Sequence, residues 1–143
     1  MSEHIYSNVK IGSMLLKNRI VMAPMTRCRC INNLPNDSVA KYYAQRAEAG
    51  LIITEGTSPS DNGLGYARIP GLYTSEHMHA WQPVTEAVHK AGSRIFVQLM
   101  HCGRVAHPDN LPSGMEILAP SPIALTEGTM WTDQNGIKPY LVP

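Results

Sequence analysis

Three apolar runs in this 143-residue sequence end in polar residues whose types can do chemistry. RIVMAPM (residues 19–25) leads into Thr26 and Arg27, LIIT (51–54) into Glu55 and Gly56, and RIFVQLM (94–100) carries Gln98 and leads into His101 and Arg104. Parallel strands place their sites at such C-terminal ends. Strand alternation in the third run sets Phe96, Gln98 and Met100 on one side, and Ile95, Val97 and Leu99 on the other. An unpaired amide in that apolar setting costs about 1–3 kcal/mol, so Gln98 needs a partner, either a bound ligand or backbone groups. Glu55 suits a general base, an ion-pair partner or an acceptor of backbone N–H groups.

Other reactive residue types have plainer readings. Cys28-Arg29-Cys30 has a one-residue spacer, shorter than structural zinc sites use, and His101-Cys102 is the only nearby candidate for a second ligand pair; no metal is expected. His77 and His79 flank Met78 near a helix start and read as solvated. His101 and Cys102 are adjacent, so in a strand they point to opposite faces and do not form a nucleophile–base pair. No Gly-x-Ser-x-Gly elbow and no phosphate-loop pattern is present.

The elements that must position these residues alternate. Val9–Ile11, a Gly12-Ser13 turn and Met14–Leu16 read as a hairpin. Arg19–Met25, nearly continuous and apolar, reads as a strand buried on both faces. Asn36-Asp37-Ser38 supplies N-cap candidates for a helix that Gly50 would stop. Leu51–Thr54 is a second strand, and a long Gly- and Pro-containing loop follows over residues 57–73. Thr74-Ser75 caps a second helix running to about Ala91, with Gly92 as its stop and with Pro83 predicting a kink or restart near Trp81. Arg94–Met100 is the third strand, and the loop-like remainder holds a hairpin around Thr129–Tyr140. Strand–helix–strand–helix–strand implies a parallel sheet, either doubly wound or part of a (β/α)8 barrel. Pro24-Met25-Thr26-Arg27 has no glycine after the first strand, which weakens the dinucleotide-binding alternative.

Composition bounds the function. Hydrophobic residues make up 43% and charged residues 16%, below the usual charged share of about 25%, as expected for a globular chain with a dry core. A net charge of +1 lacks the basic surplus of a nucleic-acid binder. Apolar stretches such as 20–25 fall far short of the roughly 18–20 residues of a membrane span. MSEHIYSNVK has no signal-peptide apolar core, and the three cysteines and eight methionines suit a reducing cytoplasm.

Four longer motifs then fall in order: KNRIVMAPMTRCRC, YYAQRAEAGLIITEGT, GYARIPGLYT and FVQLMHCGR, continued by ILAPSPIAL and TDQNGIKPYLVP. Together they resemble the old yellow enzyme family, FMN-dependent ene-reductases on a (β/α)8 TIM barrel, in its bacterial alkene and xenobiotic reductase branch. The resemblance implies that residues 1–143 are the N-terminal part of a single α/β barrel domain. It implies that Ala23, Pro24, Met25 and Thr26 line FMN, with the Thr26 hydroxyl near flavin O4. It further implies that Gly56 permits close backbone approach to the ring, that Gln98 hydrogen-bonds the pyrimidine edge, and that Thr26, Tyr66 and Met100 border the substrate pocket. NADPH or NADH is the implied reductant and an electron-poor alkene such as an enone the implied substrate.

Two departures from the family pattern matter. Met100 stands where most of that branch has the tryptophan of QLWH, which predicts a wider, less fixed pocket. A barrel of about 350 residues and eight strands is also the family norm, so the carbonyl clamp, the tyrosine proton donor and the phosphate-binding arginines are expected outside this chain. The expected catalytic residues in this chain are therefore none. Completion of the barrel by missing sequence or a complementary polypeptide is expected, with Ile20, Met22, Ile52, Phe96 and Met100 as its inward set. The alternative is a non-catalytic partial barrel acting as a flavin-binding or assembly fragment.

Overall fold

The computed structural model describes residues 3–143. A single-turn helix α1 (Glu3–Tyr6) precedes an antiparallel hairpin, β1 (Val9–Ile11) and β2 (Met14–Leu16), with Val9 opposite Leu16. Then come β3 (Val21–Met22), α2 (Asp37–Ala44), β4 (Leu51–Thr57), α3 (Ser75–Lys90) and β5 (Arg94–Leu99). The three strands form one parallel sheet in the order β3-β4-β5. A second hairpin, β6 (Thr129–Thr132) and β7 (Gly136–Pro139), lies where the sequence predicts one.

Both helices begin at the predicted caps. The Asn36 side chain accepts from the N–H groups of Ser38 and Val39, and Thr74 accepts from His77 N–H. These caps satisfy N–H groups that a helix start leaves without intrahelical partners. Helix α3 runs unbroken through Pro83, contrary to the predicted restart. Pro83 and His79, whose carbonyl would have received the missing N–H, are both solvent-exposed, so water takes the role of the lost donor. Gly92 ends this helix at φ +80°, as predicted.

Gly50 does not stop α2, which already ends at Ala44. Its N–H is held by Asn18 Oδ1 at 2.7 Å and by the Ile20 carbonyl at 3.0 Å. A Cβ at residue 50 would stand 2.3 Å from the Asn18 carbonyl oxygen, so glycine is needed there for close approach. The buried Asn18 side chain also accepts from Ile20 N–H and donates to the Glu48 carbonyl, joining the N-terminal hairpin to the barrel-type sheet.

The helices cover one sheet face. Ile52, in register with Met22 and Ile95, points into a cluster of Cys30, Val39, Tyr43, Ala47, Trp81, Val84 and Val88. Met22 and Ile52 therefore belong to the helix side, which corrects their placement in the inward set. The slip arises because the sequence reading did not align the three strands with one another, and a shift of one residue reverses the face. The opposite face carries Ile53 beside Phe96 and Gly56 beside Gln98. Phe96 is 51% exposed there, and Leu99 at the end of the strand is 60% exposed. Only Val21 and Met22 of the run 19–25 form ladder pairs, and Ile20, Val21 and Met25 are exposed, because β3 is an edge strand rather than one buried on both faces.

A second apolar cluster lies beneath the loops at the C-terminal ends of the strands. Leu64, Ile69, Cys102, Ala106 and Ile117 form it, with Cys28, Tyr66, Met100 and Leu111 packed against it. The loop following β3 is tied to the loop before α3 through Cys30 N–H to the Arg68 carbonyl (3.0 Å) and Gly71 N–H to the Asn33 carbonyl (2.9 Å).

Candidate functional site

Ala23, Pro24, Met25 and Thr26 continue from β3 as exposed, extended backbone. Gln98 sits two strands away on β5, with β4 between. Neither the Thr26 hydroxyl nor the Gln98 amide hydrogen-bonds another side chain or backbone group among the described residues, and both are exposed. The apolar setting expected to oblige Gln98 to find a partner is not found among the described residues, where its side chain is exposed. A hydroxyl and an amide left uncommitted at the ends of β3 and β5, on either side of β4, can serve a planar ligand that presents both donors and acceptors.

Between them β4 is irregular. Its register with β5 shifts between Ile53 and Gly56, and a bulge of this kind re-aims the side chains beside it. Thr54 and Glu55, consecutive on this central strand, are both buried. Thr54 Oγ1 accepts from Gln98 N–H at 3.1 Å and donates to the Glu55 carbonyl at 2.9 Å. Glu55 Oε2 accepts from Arg27 N–H at 2.9 Å, and Glu55 N–H donates to the Tyr43 hydroxyl at 2.8 Å. Burial raises the Glu55 carboxyl above its ordinary value, opposed by the Arg27 N–H, the Arg27 charge and the Tyr43 hydroxyl. Of the roles open to Glu55, the geometry realises the acceptor of a backbone N–H.

Thr54 and Tyr43 were missed by sequence reasoning. Tyr43 carried a signal: it shares the apolar stripe of α2 with Val39, and a buried phenol needs a hydrogen-bond partner. Thr54 carried none, because its partner, Gln98 N–H, lies forty-four residues away on another strand.

Gly56 and Met100 touch. A Cβ at residue 56 would lie 2.4 Å from Met100 Cε and 2.6 Å from Sδ. The methionine is anchored by its N–H to the Thr57 carbonyl at 2.9 Å, and it shares the loop-side cluster with Tyr66. The structure thus groups Gly56 with Gln98 and Met100, and Met100 with Tyr66. His77 proves buried rather than solvated: it is 6% exposed, its Nδ1 2.8 Å from Thr74 Oγ1, while His79 is exposed. His101 is exposed and Cys102 buried, but both lie beyond the end of β5, so strand alternation does not set their directions.

Residues 4–138 match the NADH:flavin oxidoreductase / NADH oxidase family. The chain belongs to this family. Among its relatives, 12-oxophytodienoate reductase 1 of Oryza sativa subsp. japonica is 40% identical over 129 residues, covering 90% of this chain and 33% of the relative. A probable flavin mononucleotide-dependent alkene reductase of Leishmania infantum is 43% identical over 137 residues, covering 93% of this chain and 38% of that protein. The old yellow enzyme homologue from Zymomonas mobilis superposes with TM-score 0.89 at 44% identity, over 96% of this chain and 38% of the other. Morphinone reductase superposes with TM-score 0.91 at 38% identity, over 97% of this chain and 38% of the other. The chain thus spans a little over a third of these solved structures, and its sheet and helices are an N-terminal portion of their (β/α)8 barrel.

Proposed function

We propose that this chain supplies the flavin-seating and pocket-wall residues of an FMN-dependent ene-reductase. The observation that carries the reading is the pair of uncommitted polar groups, Thr26 and Gln98, on either side of β4 at the strand ends. A hydroxyl and a carboxamide suit the donors and acceptors along the pyrimidine edge of an isoalloxazine ring. When bound, FMN supplies hydride chemistry, accepting from NADPH or NADH and delivering to the β-carbon of an electron-poor alkene. Thr26 would donate toward the ring oxygen where negative charge develops on reduction. Gln98 would fix the ring's orientation, and Ala23, Pro24 and Met25 would flank it. Gly56 lets Met100 lie close to the same strand end, so that Met100 and Tyr66 shape the pocket wall. The proton donor and the carbonyl clamp come from the remaining strands of the barrel, on the same polypeptide or a complementary one. The exposed Phe96 and Leu99 support that completion. The free thiols of Cys28, Cys30 and Cys102 support placement in a reducing cytoplasm.

The test is to purify the completed barrel, release its flavin by denaturation, and follow NADPH and NADH oxidation with a cyclic enone. Stoichiometric FMN and enone-dependent oxidation are expected, with FMN occupancy falling in a Thr26→Val, Gln98→Leu double variant. A completed barrel without flavin would overturn the reading and favour an assembly role.

A further inference from the structure

Glu55 is unusual for a carboxylate. It is 1% exposed, and its Oε1 has no hydrogen-bond partner among the described residues. Lone buried carboxylates are costly, and here no cation forms a salt bridge to it among the described residues. What the side chain does hold is a backbone group: Arg27 N–H, on the residue directly after Thr26. The preceding residue, Thr54, holds Gln98 N–H through its hydroxyl. The same hydroxyl donates to the Glu55 carbonyl, and Thr57 Oγ1 donates to that carbonyl as well, at 3.0 Å. The Tyr43 hydroxyl fixes Glu55 N–H from the helix side. Every polar atom of residue 55 except Oε1 and one lone-pair direction is therefore committed.

We propose that Glu55 and Thr54 are positioning residues that set the spacing between Thr26 and Gln98. The proposal rests on the flavin reading above and adds to it the pair of residues that holds the two ring contacts in place. The register with β5 shifts between Ile53 and Gly56, around the dipeptide that reaches β3's trailing loop through the Glu55 carboxyl and β5 through the Thr54 hydroxyl. A carboxyl that burial biases toward its neutral form accepts the Arg27 N–H without placing a full negative charge beside the strand ends, where a reduced ring would gather charge of its own.

The test uses the completed barrel, with and without flavin, and follows amide hydrogen exchange. In the flavin-free protein, Glu55→Leu should speed exchange of the Arg27 amide by about tenfold, the ratio equivalent to about 1.4 kcal/mol. The Cys30 amide, which is bound to the Arg68 carbonyl instead, should keep its protection. Glu55→Gln retains an acceptor oxygen and should restore slow exchange at Arg27. Thr54→Val, nearly isosteric, should speed exchange at the Gln98 amide. In the flavin-loaded protein, Glu55→Leu should move the midpoint potential to more negative values, and Glu55→Gln should leave it near that of the parent. Equal exchange at Arg27 in parent and Glu55→Leu, or equal loss of protection at Arg27 and Cys30, would overturn the positioning role. If no flavin binds the parent protein, the flavin reading fails while the exchange results still decide whether residue 55 holds the loop. Should Glu55→Leu fail to fold, Glu55→Gln and Thr54→Val carry the same comparison.

Discussion

Replacing Gly56 with alanine tests the contact on which the shape of the pocket wall depends. The added Cβ would stand 2.4 Å from Met100 Cε and 2.6 Å from Sδ. Carbon atoms pack at about 3.5–4.0 Å, so the end of the methionine must retreat by roughly 1 Å or more. The atoms in the way are the flexible end of a side chain, not backbone, and they can swing toward the open sheet face. An off-rotamer methionine costs about 0.5–1.5 kcal/mol, and overpacking of a filled site about 1–3 kcal/mol. Gly56→Ala should therefore destabilise the completed barrel by about 1–2 kcal/mol. The same displaced thioether would enter the space beside Gln98 and weaken flavin retention. Met100→Ala removes the obstacle, so the double variant should recover most of the loss, giving a coupling of about 1 kcal/mol between neighbours. Urea midpoints of the four proteins, at constant slope, measure this directly. Additive effects of the two substitutions would refute the reasoning.

Asn18→Ala should cost about 2–3 kcal/mol, because the buried amide serves Gly50, Ile20 and Glu48 and its removal leaves groups unpaired; a urea-midpoint change equivalent to less than about 1 kcal/mol would contradict the anchoring role. Burial lowers the His77 imidazole below its ordinary 6.5, so the unfolded chain takes up the proton first. Stability from this residue is present above pH 6.5 and declines as pH falls below it, and His77→Gln should remove that acid-side slope in thermal melts. Glu55 acts in the opposite sense: its raised carboxyl holds the proton longer when folded, so stability declines as pH rises above 4.5. Glu55→Gln should flatten that limb. Burial raises the thiols of Cys28, Cys30 and Cys102, so at pH 8 iodoacetamide should label all three slowly in the folded protein and rapidly in urea, as read by mass spectrometry.

Local signals carried much of the architecture. Asn36 and Thr74 were legible as caps because short polar side chains before an apolar stripe have one common use. Both hairpins were legible from turn residues between short strand-forming runs. What failed depended on partners distant in sequence. Gly50 looked like a helix stop until Asn18, thirty-two residues earlier, was seen to require its bare backbone. Met22 and Ile52 were put on the wrong sheet face because facing is decided by register between strands. At the site, Thr26 and Gln98 stood out as polar residues after apolar runs. The clamp that holds their neighbours was hidden, since a bulge leaves no mark in a string such as LIITEGT.

The helix-side core has a consequence in time. Its buried members, from Cys30 to Val88, come from one stretch of chain that ends before β5. Of the residues packed against them, Ile95 alone lies beyond the end of α3. At synthesis rates of about 5–20 residues per second, the 55 residues from His89 to Pro143 take roughly 3–11 s to follow. A nascent chain can thus bury Tyr43, Ile52 and Trp81 while Phe96 and Leu99 are still unmade or within the ribosome. The adhesive sheet face, completed only when β5 arrives, is then presented by a layer already backed by its helices. That order shortens the interval in which unpaired strand edges and loose apolar side chains are exposed together.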